Sequence, residues 1–257
     1  MSFEWRRARV IISGGASGLG RAVAESVIAA GGQVVLLDCD TGAGRAVAKE
    51  LGAPACFMAV DVTDAEAMLR AVEQASKQLG GVDLAVSCAG IAPNARLLGR
   101  EGLHETELFL RVLAVNLTGT FNLVRAAAAE MENNQPDEQG ARGVIVMTSS
   151  IAADDGQIGQ AAYAASKGGV ASMTLPLARE LSRIGVRVMC IAPGLFDTPM
   201  SQFFSEQVRD DLAQQVPFPQ RLGLPKEYAK LVRSIYENDY LNGEIIRLDG
   251  ALRMSVK

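Results

Sequence analysis

Seven short apolar runs recur along the chain, and alanine-rich amphipathic stretches separate them. The runs are continuous rather than alternating, which is typical of strands that are covered on both faces. They occupy residues 8–13, 33–38, 55–60, 82–88, 143–149, 186–191 and 244–248. Because strand and helix patterns alternate throughout, the sequence predicts an α/β fold, a doubly wound parallel sheet of about seven strands with helices on both faces.

The composition and charge limit the binding partners and the cellular location that we expect for this protein. The chain has 257 residues, 49% of them hydrophobic, which is enough for one large domain spanning residues 1–257. Its formal net charge of −4 argues against a nucleic-acid surface, which needs a basic patch. The charges in MSFEWRRARVIIS stand where a signal peptide needs its apolar core, and later stretches fall short of the ~18 uninterrupted apolar residues of a membrane span. We expect a cytoplasmic protein without a nucleic-acid or membrane partner.

The cysteines and the single histidine carry little sign of metal or triad chemistry. The cysteines lie far apart in apolar runs without a C-x-x-C motif, which favours buried free thiols over disulfides or a metal site. They are Cys39, Cys56, Cys88 and Cys190. His104 has no second histidine to form a ligand cluster, and we expect it in a surface loop rather than in catalysis.

A glycine-rich turn follows the first predicted strand. In SGGASGLGRAVAESV, Gly14, Gly18 and Gly20 open a predicted helix in a G-x-x-x-G-x-G arrangement. Such a turn lets the backbone approach a pyrophosphate, and the helix start supplies N–H donors. We assign Ser17 and Leu19 to the same cofactor turn. A tight turn without a ligand would also explain the glycines.

Acidic residues end the second and third strands. Asp38 can accept hydrogen bonds from an adenosine ribose and would repel a 2′-phosphate, which predicts NAD over NADP. Asp61, followed by Val62, could meet the adenine amino group. Asp61 could instead cap the next helix, although Thr63 and Asp64 are better placed to do so. We favour the cofactor role.

Small residues follow the fourth strand, and a tyrosine–lysine pair follows the fifth. Cys88, Ala89 and Gly90 leave room for a close-lying ligand. In AAYAASKGG, residues 161–169, Tyr163 and Lys167 are four apart and so share one helix face. The small residues around the pair fit a close helix–helix contact or a base beside its activating cation.

The chain resembles the short-chain dehydrogenase/reductase family over essentially its whole length. The resemblance rests on SGGASGLG, Asp61-Val62, CAG at 88–90, Asn116 in VNLTG, Ser150 at the end of the fifth strand, the Tyr163/Lys167 pair and APGLFDTPM at 192–200. GQIGQAAYAASKGG, QVPFPQRLG, PKEYAKLV, LNGEIIRLDGALRM and residues 93–107 are similar to the 3-hydroxyacyl-CoA dehydrogenase branch. This resemblance implies a Rossmann-type fold, a homotetramer and oxidation of a secondary alcohol by NAD.

The predicted chemistry needs a base for the alcohol proton. Lowering a tyrosine pKa from ~10 to about 7 requires roughly 4 kcal/mol. A cation about 4–5 Å away supplies on the order of 3–4 kcal/mol. We therefore expect Lys167 to supply most of the shift for Tyr163, the oxidised NAD ring to supply the rest, and Lys167 to hold the ribose hydroxyls. Ser150 would hydrogen-bond the reacting oxygen. By resemblance, Asn116 would hold a water for proton exit, or it would brace its helix.

The sequence says less about which residues would contact the substrate. Gln160 could donate to a thioester or keto oxygen, or it could be an exposed helix-start residue. Residues 194–219 are predicted to form a helical lid whose apolar wall comprises Phe196, Met200, Phe203 and Phe204, with packing against the body favoured for at least half of them. We place Thr198 at the nicotinamide carboxamide and Phe196 beside the cofactor.

Three residues depart from the family pattern or have no assigned effect. Ser13 replaces the usual threonine but keeps a hydroxyl. Ser87 replaces an asparagine that helps to hold the central strand and loop, which puts local rigidity in doubt. Asp197 is a variable lid residue.

The predicted function is reversible NAD-dependent oxidation of (S)-3-hydroxyacyl-CoA to 3-ketoacyl-CoA. A hydroxysteroid or other secondary-alcohol dehydrogenase is the alternative. Because Ser150, Tyr163 and Lys167 are all present, a catalytically silent NAD-binding scaffold is disfavoured. Asp38 disfavours an NADPH-dependent ketoacyl reductase.

Overall fold

The computed structural model describes residues 3–100, 102–201 and 205–256, and these form the predicted α/β domain. The strands are β1 Arg9–Ser13, β2 Gln33–Asp38, β3 Ala55–Ala59, β4 Leu84–Ser87, β5 Leu98–Gly99, β6 Gly102–Leu103, β7 Gly143–Thr148, β8 Val186–Pro193 and β9 Ile245–Leu248. The helices are α1 Gly18–Ala30, α2 Thr41–Leu51, α3 Ala65–Leu79, α4 Thr106–Leu113, α5 Gly119–Met131, α6 Ala152–Asp155, α7 Ala161–Leu181, α8 Glu206–Gln214 and α9 Pro225–Glu237.

A seven-stranded parallel sheet organises the described residues, in the order β3-β2-β1-β4-β7-β8-β9. After β3 the chain crosses to the other side of β1, so the direction of winding reverses between β1 and β4. In open α/β sheets, ligands bind beyond the carboxyl ends of the strands at such a switch point. The predicted doubly wound sheet is confirmed, and it directs attention to the ends of β1, β4 and β7.

Each face of the sheet carries its own hydrophobic core. Along β1, Val10 and Ile12 pack on one side with the buried side chains of α1 and α9, whereas Ile11 packs on the other side with α3 and α5. Successive strand residues point to opposite faces, so a strand covered on both sides is apolar at every position. This explains why the strands appear in the sequence as continuous runs.

Local capping fixes where several helices begin and end. The side chain of Asp64 accepts hydrogen bonds from the backbone of Glu66 and Ala67 and caps α3. Asp40 caps α2 through Ala43 N. Gly31, with φ of 99°, closes α1 in the left-handed conformation that favours glycine. The two aspartate caps set the starting points of α2 and α3 next to the carboxyl edge of the sheet, and Gly31 sets the end of α1.

One long helix runs from Thr106 to Met131 through α4, a π-helical turn at Ala114–Thr118, and α5. The helix is long enough to cross a membrane, and an 18-residue window within it has a mean hydropathy of 1.2, so it passes by length and composition only. Here, 56% of its apolar window is buried inside the domain, where Leu123 and Val124 pack against the sheet. The helix therefore has the burial of a core element.

The expectation of four buried thiols is wrong in part. All four cysteines are free, but only Cys190 is fully buried, whereas Cys56 and Cys88 are partly exposed and Cys39 is exposed. Cys39 follows the last residue of β2, where the chain leaves the sheet. An apolar run continues to the end of its strand, so it does not reveal where the covering helices stop. Within the described ranges, no three His, Cys, Asp or Glu residues are placed to hold a metal ion.

Candidate active site

The glycine turn between β1 and α1 is a close-fitting backbone cradle. Gly14 has φ of +67°, and a Cβ atom there would lie 2.5 Å from Ala89 N. A Cβ atom on Gly20 would overlap the Gly14 carbonyl oxygen. Ser17 is the exposed N-cap residue of α1, and Leu19 is partly buried. The turn thus brings backbone and a helix start together at the switch point, which fits the pyrophosphate of a dinucleotide.

The chain after β8 crosses over this turn. A Cβ atom on Gly18 would lie 3.5 Å from Thr198 Cβ and Cγ2, so Thr198 adjoins the turn. Ser201 Oγ accepts from Thr198 N at 3.1 Å and donates to Thr198 O at 2.8 Å, which fixes this crossing. The structure therefore brings Thr198 to the glycine turn, although it lies 180 residues from Gly18 in sequence.

Part of the predicted apolar wall faces the body of the domain. Phe196 is buried in the core, and a Cβ atom on Gly223 would lie 2.9 Å from its ring. Met200 is 46% exposed. Phe203 and Phe204 lie outside the described residues. Phe196 thus packs as a core residue. Within the predicted lid, α8 is helical, and a role of the segment as a lid stays a prediction.

Asp38 binds the glycine turn directly. Its Oδ2 accepts from Ala16 N at 3.1 Å and its Oδ1 accepts from Asp40 N at 3.0 Å. The side chain remains partly exposed at the end of β2. Carboxylate oxygens have several lone-pair sites, so these bonds leave capacity for a ribose hydroxyl.

Asp61 is exposed at the end of β3, and it does not cap α3. Both hydrogen bonds of its Oδ1 go to Thr63, at 2.9 Å from the backbone N and 2.8 Å from the hydroxyl, while Asp64 is the capping residue. Val62 is buried, and its carbonyl accepts from Asn122 Nδ2 at 2.9 Å. The capping alternative for Asp61 is therefore removed, and the adenine contact stays a prediction.

Ser150, Tyr163 and Lys167 meet where β7 ends and α7 begins. A hydrogen bond joins the Ser150 and Tyr163 side chains, and Ser150 Oγ also accepts from Ala152 N at 3.1 Å. Lys167 Nζ donates to Thr148 O at 2.8 Å and lies 5.8 Å from the centroid of the Tyr163 ring. The structure brings the three predicted catalytic side chains together near the end of β4, where the glycine turn also packs.

In the protein without cofactor the pKa of Tyr163 is not lowered, and the expected effect of Lys167 together with bound NAD stays a prediction. Burial raises the pKa of the Tyr163 phenol, and the hydrogen bond from Ser150 offsets this only in part. Burial also lowers the pKa of Lys167 to about 8. The Lys167 ammonium donates to the Thr148 carbonyl. Burial disfavours the charged forms of both Tyr163 and Lys167. Tyr163 is therefore protonated at neutral pH in the protein by itself.

Asn116 is completely buried in the π-helical turn and braces its surroundings. Its Oδ1 accepts from Ile91 N at 2.8 Å, while its Nδ2 donates to Ile91 O at 2.9 Å and to Ser166 Oγ at 3.0 Å. A Cβ atom on Gly90 would lie 3.3 Å from Asn116 Oδ1 and 3.7 Å from Lys167 Nζ. The bracing alternative therefore describes its side-chain contacts, and the proposed water role stays a prediction.

Gln160 precedes α7 as a partly buried helix-start residue, and its Oε1 accepts from Gln157 N at 3.0 Å. A neighbouring contact was missed from the sequence. Gly159 has φ of +91°, a Cβ atom there would overlap the Asn94 side chain, and Ala95 N donates to Gly159 O at 3.0 Å. The loop after β4 is thus attached to the segment that carries Gln160.

Two residues near the site had no role in the sequence interpretation. Thr148 Oγ1 and the hydroxyl of Tyr228 on α9 lie 2.7 Å apart, and Cys88 Sγ lies 3.8 Å from each. Burial raises the pKa of Cys88 to about 11 and that of Tyr228 well above its ordinary value, so both remain protonated. Ser87 Oγ accepts from Thr148 N at 3.4 Å, a long bond where the family has an asparagine.

Asp197 and His104 both lie outside this cluster of contacts. Asp197 Oδ1 lies 3.8 Å from Arg209 Nη1, which pairs the chain after β8 with α8. Its backbone N donates to Gly223 O at 2.9 Å. His104 is partly exposed after β6, as expected of a loop residue, and its ring packs edge-to-face with Phe109.

Comparison with known proteins gives consistent results. The short chain dehydrogenase family model matches residues 8–209. The 3-hydroxyacyl-CoA dehydrogenase type-2 of Homo sapiens is 54% identical over 246 residues, which cover 95% of this chain and 94% of the human protein. The (3R)-3-hydroxyacyl-CoA dehydrogenase of Rattus norvegicus is 35% identical over 97% of both chains. The crystal structure of 3-hydroxyacyl-CoA dehydrogenase type-2 from Mycobacterium avium has a TM-score of 0.93 and 41% identity over 98% of both chains.

Proposed function

Because this chain belongs to the short-chain dehydrogenase family, we propose that it oxidises (S)-3-hydroxyacyl-CoA reversibly to 3-ketoacyl-CoA with NAD. The family relationship makes it an oxidoreductase with a small-molecule substrate and a nicotinamide cofactor. The observation that carries the proposal is the meeting of Ser150, Tyr163 and Lys167 beside the glycine turn. The 54% identity to a 3-hydroxyacyl-CoA dehydrogenase type-2 supports the substrate class.

The residues divide the chemistry between them. A nicotinamide bound at the cradle supplies the hydride acceptor, or the hydride donor in reverse. Tyr163 takes the alcohol proton as the carbonyl forms and returns it during reduction. Ser150 donates a hydrogen bond to the reacting oxygen and stabilises its developing charge. Lys167, with its pKa lowered to about 8, remains largely cationic at neutral pH and favours the phenolate.

NAD rather than NADP is favoured by Asp38. Its carboxylate stands at the end of β2, bound to the turn that would hold the pyrophosphate. A 2′-phosphate at the adjacent ribose would meet this negative charge. Asp61 and Val62 would border the adenine, and Thr198 would contact the carboxamide at the other end.

A homotetramer is part of the proposal. Leu110, Phe121 and Leu175 are exposed by 57%, 42% and 45% on α4, α5 and α7, and Ile245 is 38% exposed on β9. Apolar side chains exposed on helix faces and at a sheet edge fit contacts between copies of the chain. Light scattering after size-exclusion chromatography would give the mass of the assembly. The cytoplasmic location stays a prediction.

Acetoacetyl-CoA reduction, followed by NADH absorbance and repeated with NADPH, tests the function. Rapid turnover with NADH alone supports both the acyl-CoA substrate and the role of Asp38. NADH binding without turnover would favour a hydroxysteroid or another secondary alcohol, and turnover with none of these would favour the silent scaffold. In the oxidation direction, (S)- and (R)-3-hydroxybutyryl-CoA should be compared, since relatives at 35% identity carry (3R) names. Preference for the (R) form would overturn the proposed stereochemistry.

A further inference from the structure

A buried chain of hydrogen bonds connects α9 to the catalytic lysine. The Tyr228 hydroxyl lies 2.7 Å from Thr148 Oγ1, and the carbonyl of the same Thr148 accepts from Lys167 Nζ at 2.8 Å. Tyr228, Thr148 and Lys167 are 0%, 7% and 5% exposed. Thr148 therefore contacts the tyrosine with its side chain and the lysine with its backbone.

The start of α9 places the tyrosine hydroxyl. Pro225 is the first helical residue, and Glu227 Oε2 accepts from Leu224 N at 2.8 Å. Arg221 binds both oxygens of Glu227, at 2.9 and 2.7 Å. A helix start fixed in this way holds the next residue, Tyr228, in one position. The Tyr228 ring is completely buried in the core shared by α1 and the sheet.

Thr148 links the end of the sheet to the catalytic residues. It is the last residue of β7, and Ser149 and Ser150 follow it directly. Its backbone N also approaches Ser87 Oγ at the long distance of 3.4 Å. The Thr148 carbonyl is the neutral acceptor that the structure provides for the desolvated Lys167 ammonium. A rotation at Thr148 would move this acceptor away from the ammonium.

We propose that Tyr228 is a positioning residue for the reaction: its hydroxyl holds Thr148 so that the Thr148 carbonyl keeps Lys167 in place beside Tyr163. The inference rests on the proposed dehydrogenase function. It assigns a specific task to a tyrosine in α9 that is completely buried. A purely structural role for Tyr228 would predict lower stability without a specific effect on Lys167.

The test compares Tyr228→Phe with Tyr236→Phe. Both tyrosines lie on α9 and are buried, but the Tyr236 ring packs on Phe3 and Trp5, away from Thr148. Loss of one neutral hydrogen bond should lower kcat of Tyr228→Phe about fivefold, while KM for the acyl-CoA stays unchanged. Tyr236→Phe should retain the wild-type kcat. Equal losses in both variants would overturn the proposal.

A pH profile gives a readout that a structural role would not move. The titratable groups facing Lys167 are Tyr163 on α7, Cys88 after β4 and Cys190 on β8. A less well held ammonium loses its proton more easily, so the alkaline limb of kcat should shift down by about half a pH unit in Tyr228→Phe. An unshifted limb would contradict the proposal.

Of two further measurements, the first does not depend on catalysis and the second uses a different variant. The crystal structure of cofactor-free Tyr228→Phe should show the distance between Lys167 Nζ and Thr148 O increased beyond hydrogen-bond range, and an unchanged 2.8 Å would overturn the proposal. Thr148→Val removes the other hydroxyl of the pair, so it should reproduce the fivefold loss of kcat, and the double variant should be no worse than either single one. Additive losses would mean that the two hydroxyls act separately. A wild-type enzyme inactive on acetoacetyl-CoA would instead refute the proposed function.

Discussion

The cofactor side and the reaction side of this site are built from different parts of the chain. On the cofactor side, at the ends of β1 and β4, the contacts are made by backbone, and glycines at 14 and 20 allow the close approach. On the reaction side, at the end of β7, three buried or partly buried side chains act through single hydrogen bonds. Function thus depends on main-chain shape on the first side and on individual atoms on the second.

The largest effect is expected from a substitution that removes one oxygen atom from the reaction side. Tyr163→Phe should reduce turnover by about 10³-fold, because the proton donor and acceptor of the reaction is lost. NADH affinity, measured by fluorescence titration, should change little, because the glycine cradle is intact. Turnover close to that of the wild type would show that Tyr163 is not the catalytic base. The contrast drawn here between the cofactor side and the reaction side would then fail.

The next effect changes the backbone on the cofactor side. Gly14→Ala places a Cβ atom 2.5 Å from Ala89 N at a φ of +67°, and strain with overpacking should cost about 3 kcal/mol. Both the free energy of unfolding and the NADH affinity should fall. Gly42→Ala in α2 is the control, since a Cβ atom there would lie 3.5 Å from the nearest atom, Asp40 Oδ1. Equal NADH affinities of the two variants would show that the turn does not hold the cofactor.

A smaller effect tests the one side chain on which cofactor choice depends. Asp38→Asn should weaken NADH binding about tenfold, since a charge-assisted hydrogen bond is worth about 1.5 kcal/mol, and should narrow the gap between NADH and NADPH. Asp40→Asn is the matched control, because asparagine caps α2 as well as aspartate does. If both variants keep the NADH preference, cofactor discrimination lies elsewhere.

The smallest effect is expected at Glu227, which fixes the start of α9. Glu227 accepts two bonds from Arg221 and one from Leu224 N, and these lower its pKa from 4.5 to about 2. A lowered carboxyl pKa contributes stability above pH ~4.5 that is lost as pH falls towards 2. Because 38% of the side chain is exposed, Glu227→Gln should cost only about 1 kcal/mol at neutral pH. Denaturant unfolding at pH 7 and pH 3 measures this.

In those experiments the difference between Glu227→Gln and wild type should shrink at the lower pH. Glu237→Gln, which removes an exposed pair with Arg233, is the control and should cost less. A difference that is constant with pH would mean that the Glu227 charge does not stabilise the fold.

The sequence predicted the elements whose signals are local. Strands buried on both faces appear as apolar runs, so the run at 33–38 matches β2, and the run at 82–88 exceeds β4 by three residues. Gly14 and Gly20 were identifiable because backbone crowding admits no other residue there. The contacts of Asn116 with Ile91 and Ser166, 25 and 50 residues away, had no such signal.

The pKa values in the site and the contacts between residues far apart in the chain also could not be predicted from the sequence. The pKa of Tyr163 depends on how deeply its surroundings bury it, and the spacing to Lys167 contains no information on that depth. Thr148 and Tyr228 are 80 residues apart and meet only because α9 packs on one face of the sheet that contains β7. The hairpin of β5 and β6 was missed because its leucines, such as Leu98 and Leu103, are exposed.

The π-helical turn at Ala114–Thr118 has a consequence for how this chain can vary. A π turn accommodates one extra residue in a helix, and each α-helical residue advances the rotation by about 100°. Asn116, at the centre of this turn, faces Ile91. Because a π turn absorbs its extra residue locally, a deletion of one residue here would make the helix regular while α4 and α5 keep their relative phase. The residues that change direction are those of the turn itself, Asn116 among them, so the bonds to Ile91 set the length of this segment.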